Sequence, residues 1–128
     1  TYETYIKVNA NKALDIDAQR IIAELSQARS LTIGSKNASQ WGVHFASTSV
    51  TLFEGTTYTE GASGNAVASL NPAVEVSSVS LLGGGTDIVF QRLSGATSAT
   101  GTVMVSYVAS SSINRTITIY GTGVADVQ

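Results

Sequence analysis

The chain has 128 residues, of which 43% are apolar and only 12% charged, with a formal net charge of −2. That suits one domain with a real core, and the charged share is about half the usual one. Seven Lys and Arg scattered without a basic run speak against a nucleic-acid partner, the lack of cysteine excludes disulfides and thiolate metal sites, and no stretch approaches the ~18 apolar residues of a membrane span.

The first third reads as one helix. From Tyr5 to about Ile33 there is neither Gly nor Pro, and Gly34 is a stop signal. At ~1.5 Å per residue such a helix is roughly 40 Å long. With about 100° per residue and Leu14 at zero, Ala18, Ile21, Leu25 and Ala28 fall within about 40°, and Ile22 at about 80°. This stripe predicts helix-to-sheet packing through Leu14, Ala18, Ile21, Ile22 and Leu25. Upstream, Lys7 and Asn11 fall on the same side and are polar, so the first half of the helix is expected to project beyond the core. Tyr5, Ile16 and Ala23 lie on the opposite side. Tyr2, Tyr5 and Ile16 are the candidate residues for a second contact face.

After Gly34 the period switches to strands. Trp41-Gly-Val-His-Phe45 and Val50-Thr-Leu-Phe53 read as a hairpin closed by Ala46-Ser-Thr-Ser49. A glycine-bearing loop follows, in which Val67-Ala-Ser-Leu70 is ambiguous. Val74 to Leu81, Asp87 to Gln91, Gly101 to Tyr107, Arg115 to Tyr120 and Val124 to Val127 complete the strand set. Short connections imply antiparallel pairing, since parallel pairs need long crossovers. The expected fold is α+β in a single domain. Residues 1–33 form a long N-terminal helix, and residues 34–128 a β-rich part, either an antiparallel sheet or a small two-sheet sandwich. The expected sheet core is Val43, Phe45, Leu52, Ile88, Phe90, Val103, Val105, Ile117 and Ile119.

The ordered segments carry a resemblance. The helical run Asp17-Ala-Gln-Arg-Ile-Ile-Ala-Glu-Leu-Ser-Gln-Ala-Arg-Ser-Leu31, the strand Trp41-Gly-Val-His-Phe45, then Ile88-Val-Phe90, Gly101-Thr-Val-Met-Val105, Arg115-Thr-Ile-Thr-Ile119 and Gly121-Thr-Gly-Val124 resemble, in the same order, the GspH/FimT-type minor pseudopilins of the type IV pilin-like family. The family's apolar N-terminal segment is not present in the chain, nor is the cysteine pair that some relatives carry. The resemblance implies a structural subunit of a type IV pilus-like or type II secretion pseudopilus filament, and a minor pseudopilin at its tip. The partners it implies are other pilin or pseudopilin subunits. It implies contact with the membrane only through a missing N-terminal segment, and a place at the periplasmic or extracellular face of a bacterial cytoplasmic membrane. About 20 apolar residues in helical continuity with Tyr2 are expected upstream. The rival reading is an adhesive or ligand-binding surface module using loops 55–66 and 94–101.

The chemistry-bearing residues give no catalytic set. His44 is the single histidine, and a triad would need it beside an acidic orienter and a nucleophile. Strand alternation turns it away from Val43 and Phe45, toward solvent or a sheet edge. Asp15 and Asp17 lie about 200° apart on the helix and do not converge. Glu54 and Glu60 could approach across a loop, but without the dense carboxylate pattern of a calcium site. Gly83-Gly84-Gly85 lacks the following helix and Lys of a phosphate loop and reads as a turn. Asn37-Ala-Ser39 and Asn114-Arg-Thr116 match the glycosylation sequon. Trp41 reads as a packing residue before a sugar platform. The expectation is no enzyme, no cofactor and no metal.

Overall fold

The computed structural model describes residues 2–34 and 39–127, with side chains described from Asn11 onward. Helix α1 runs Tyr2–Ile33, followed by β1 Trp41–Phe45, β2 Ser49–Glu54, β3 Ala66–Ser69, β4 Val74–Leu81, β5 Asp87–Val89, β6 Gly101–Tyr107, β7 Ser110–Ile119 and β8 Ala125–Val127. The strands form two four-stranded sheets, ordered β3-β2-β1-β5 (sheet A) and β4-β6-β7-β8 (sheet B). Every pairing is antiparallel. The protein is therefore α+β, with one N-terminal helix packed on two antiparallel sheets.

The helix meets both sheets, and its apolar stripe supplies the shared core. Leu14, Ala18, Ile21, Leu25 and Ala28 are buried, and Ile22 is half-buried against them. From sheet A they meet the inward row Ile88–Val43–Leu52, set by the pairings of Val43 with both neighbours, together with Phe45 and Phe90. From sheet B come Val74, Val103, Val105, Ile117 and Ile119. Burial of this kind contributes about 1.5–3 kcal/mol per large aliphatic side chain. The helix ends where Thr32 is buried. Its Oγ1 donates to Ala28 O at 2.8 Å and accepts the Trp41 N–H at 2.9 Å, so the chain turns from helix into β1 without a bare backbone donor.

Three polar ties hold the helix in register. Asp17 is 1% exposed, and its Oδ2 accepts the Asn71 N–H at 2.8 Å. That hydrogen bond sits where the chain leaves β3 of sheet A for β4 of sheet B. Next to it Arg20 donates to Ser69 O. Burial raises the Glu24 carboxyl above its ordinary value, with the Arg20 guanidinium pulling the other way. Near the helix end, Arg29 Nε lies 3.2 Å from both Gly95 O and Thr122 O, tying two loops to α1.

The third tie is Arg115. It shares the inward alternation of Ile117 and Ile119 on β7, so its side chain points at α1. Nε donates to Asp15 Oδ1 at 2.9 Å and Nη2 to Asn11 Oδ1 at 3.0 Å. Asp15 is 62% exposed, so the ion pair itself is a small contributor. The Arg115→Ala variant is expected to lose about 1–2 kcal/mol, from the hydrogen bonds and the packed stem together. Urea melts at low and high salt check this. The loss should persist in high salt, because screening removes only the exposed ion pair.

Several boundaries differ from the sequence expectation. β7 begins at Ser110 rather than Arg115. Ser110-Ser-Ser-Ile-Asn114 has little apolar content. It becomes strand because β6 continues opposite it, with an irregularity between Ser106 and Tyr107. β5 stops at Val89 instead of Gln91. The Phe90 N–H still bonds Trp41 O, but the Gln91 N–H turns to Ala96 O within the following loop. The ambiguous segment after the glycine-bearing loop is strand β3, paired to β2 from Ala66 to Ser69.

Candidate functional site

On sheet A, alternation gives the outer face its own row. His44 pairs with Asp87 on one side and Thr51 on the other, and Thr51 pairs with Val67. The row Asp87–His44–Thr51–Val67 therefore crosses all four strands on the face turned away from the core. One step along, Gly42 pairs with Phe53. Phe53 is 1% exposed yet lies outside the main core cluster. Its ring lies over Gly42, where an added Cβ would come within 2.7 Å of Phe53 Cζ. Glycine is needed there because the ring occupies the place of a side chain.

Loop 55–65 covers this outer face. Tyr58 comes down from the loop and stacks on the His44 ring, with centroids 3.8 Å apart and planes 2° from parallel. It meets Phe53 edge-on at 5.8 Å. The loop is closed on itself by Asn65 Nδ2 donating to Thr59 O at 2.8 Å. Between the loop and the sheet is an open cleft of about 480 Å3, where His44, Ser49, Thr51, Tyr58, Glu60 and Asn65 stand beside the apolar Ala46, Ala62 and Val67.

His44 lies on the outer face of sheet A, away from Val43 and Phe45, and there it meets Asp87. Nδ1 lies 2.5 Å from Asp87 Oδ1, and the side chain is only 22% exposed. With Nδ1–H donating to the carboxylate, Nε2 is the ring nitrogen left for another partner. The pair joins residues 43 apart and depends on β5 lying beside β1. Nothing local in the sequence signals that adjacency. A catalytic triad does not follow. Thr51 occupies the next position in the row, but no hydrogen bond joins its hydroxyl to His44 among the described residues.

The other singled-out residues are placed as follows. Ile16 is 53% exposed on α1, opposite the buried stripe. The side chains of Tyr2 and Tyr5 lie outside the described residues. Trp41 is 7% exposed and belongs to the core. Gly83 and Gly84 take positive φ in the β4–β5 turn, where the Gly84 N–H bonds Leu81 O. Glu60 borders the cleft, while Glu54 packs beside Gly64. Among the described residues no three His, Asp or Glu converge as metal ligands. The Asn37 sequon begins outside the described residues, and Asn114 Nδ2 donates to Ser111 O.

The fold thus defines a helix-plus-two-sheet α+β protein with an open cleft of mixed polar and apolar lining on the outer face of sheet A. Comparison with known proteins finds no matching family model, curated protein or solved structure.

Proposed function

We propose that the chain is the globular part of a structural subunit in a type IV pilus-like or pseudopilus filament, with a minor, tip-located role. The observation that carries this reading is the length of α1 and the buried face along its described part. The helix has 32 residues, about 48 Å at 1.5 Å per residue. Among its described side chains, the first buried one is Leu14 and the last is Thr32. A long helix whose described buried side chains face two antiparallel sheets fits a head carried on a helix. The order of sequence segments resembling GspH/FimT-type pseudopilins supports the same reading. No helix among the described residues is long and apolar enough to cross a membrane. In this reading the membrane contact belongs to a segment preceding the helix, and the head stands on the periplasmic or extracellular side. Ile16, exposed opposite the buried stripe, faces the neighbouring subunit. The subunit's work is assembly, without catalysis.

None of these 128 residues is cysteine, so Ile16→Cys in the full-length protein gives this domain one thiol, which a photoactivatable maleimide labels in isolated cell envelopes, with the unsubstituted protein as the control. Illumination should give adducts with other pilin-like subunits when the assembly machinery is expressed and only monomer when it is not. Monomer alone under both conditions overturns the proposal.

A further inference from the structure

The cleft on sheet A has a composition that selects its ligand. No Lys or Arg lines it, and a carboxylate, Glu60, stands at its border. Asp87 lies behind His44. This disfavours phosphate, sulfate and nucleic acid, which need cationic partners. The lining offers hydroxyls from Ser49, Thr51 and Tyr58, an amide from Asn65 and the imidazole of His44, which is too polar for a purely apolar ligand. Its volume of about 480 Å3 lies within the ~300–1,000 Å3 of small-molecule clefts.

Thr51 adds a separate observation. It is 3% exposed, yet its hydroxyl makes no hydrogen bond to any described residue, and the residue lines the cleft. The hydroxyl is not sealed off, since no buried side-chain polar atom among the described residues lacks a partner, so it is reached from the cleft and free to bond what enters there. His44 presents the same situation from the neighbouring strand. Asp87 occupies Nδ1, so the ring is fixed by that carboxylate and by the Tyr58 stack, and Nε2 has no partner among the described residues. A donor from Thr51, a ring nitrogen from His44, a two-way amide from Asn65 and a carboxylate from Glu60 form a mixed set that matches hydroxyl groups, each of which donates and accepts.

We infer that this cleft binds a neutral saccharide. Phe53 under the loop, Gly42 under Phe53 and Tyr58 on His44 hold the covering loop in place, so the site is built before the ligand arrives. The inference is independent of the filament reading, since it concerns the 128-residue chain by itself.

The test is an NMR titration of the 15N-labelled chain with glucose, galactose and N-acetylglucosamine. At least one sugar should give saturable shifts at the amides of His44, Thr51, Tyr58 and Asn65, with a Kd on the order of 1–10 mM. Thr51→Val keeps the β-branched shape and removes only the hydroxyl. It should leave the spectrum otherwise folded and weaken that sugar about tenfold. His44→Phe, which retains a ring for Tyr58 to stack on, should weaken it similarly. The inference is overturned if none of the three sugars gives a saturable shift, or if Thr51→Val leaves the affinity unchanged. It is also overturned if zinc chloride or inorganic phosphate occupies the cleft more tightly than any of the sugars.

Discussion

Leu25→Ala should destabilise the isolated chain by about 2–5 kcal/mol, whereas Ile16→Glu should change it by about half a kcal/mol or less. Leu25 is 1% exposed in the core shared by the helix and both sheets. Its side chain also borders a cavity of about 140 Å3 between α1 and the β7–β8 turn, lined by Ile22, Arg29 and Val124 among others. Truncation leaves a gap in the core beside this open pocket, and the lost contacts add to the lost transfer free energy. Ile16 is 53% exposed. A glutamate there would lie one turn before Arg20 and one turn after Lys12, a favourable i,i+4 setting. Thermal and urea melts of both variants decide the matter. Equal unfolding by the two would show that the face opposite Leu14 is also core. On the proposed filament reading the order reverses. Ile16→Glu should block incorporation, because a charge buried between subunits costs several kcal/mol. Incorporation at the wild-type level would remove that contact face.

Gly101→Ala should unfold the chain more readily still, at a cost of about 3 kcal/mol or more. Gly101 opens β6, the strand between β4 and β7, and has φ of 148°. An L side chain is strained at that angle. The added Cβ would also fall 2.0 Å from Ser80 O and 3.0 Å from Leu81 Cα. Both atoms are backbone of the neighbouring strand, so no rotamer change relieves the overlap. Relief requires β4 and β6 to separate at the Leu81–Gly101 and Ser80–Thr102 pairs. Circular dichroism melts are the measurement. The control is Gly83→Ala, at positive φ in an open turn with nothing within 4 Å of an added Cβ. It should show the backbone strain alone and a clearly smaller loss. A wild-type melting temperature for Gly101→Ala would mean that the strand pairing at this position is wrong.

Local periodicity accounts for what the sequence determined by itself. A stretch without Gly or Pro, with apolar residues recurring near 100° per residue, specifies a helix and a face to bury wherever the partner sheet lies. In the same way, Val43, Phe45 and His44 alternate on any strand they form, and the α+β class follows from the switch in period after Gly34. These properties depend on neighbours three, four or two residues away, and no long-range contact is needed to express them.

The tertiary structure decided which strands became neighbours, and with that the site. Asp87 meets His44 only because the chain crosses to sheet B through β4 and returns to place β5 beside β1. Tyr58 reaches His44 only because Phe53 is seated on Gly42 and draws its loop across the sheet. Arg115 reaches Asn11 and Asp15 across about a hundred residues of chain, an adjacency that a helical wheel and a strand pattern each describe by half. Strand pairings are chosen by the global burial of two sheets against one helix, and a one-residue slip would turn every side chain on a strand to the other face. A cleft assembled from β1, β2, β3 and a covering loop therefore has no signature in any one segment, and the hydroxyl of Thr51 becomes a candidate ligand contact only once the sheet beneath it is built.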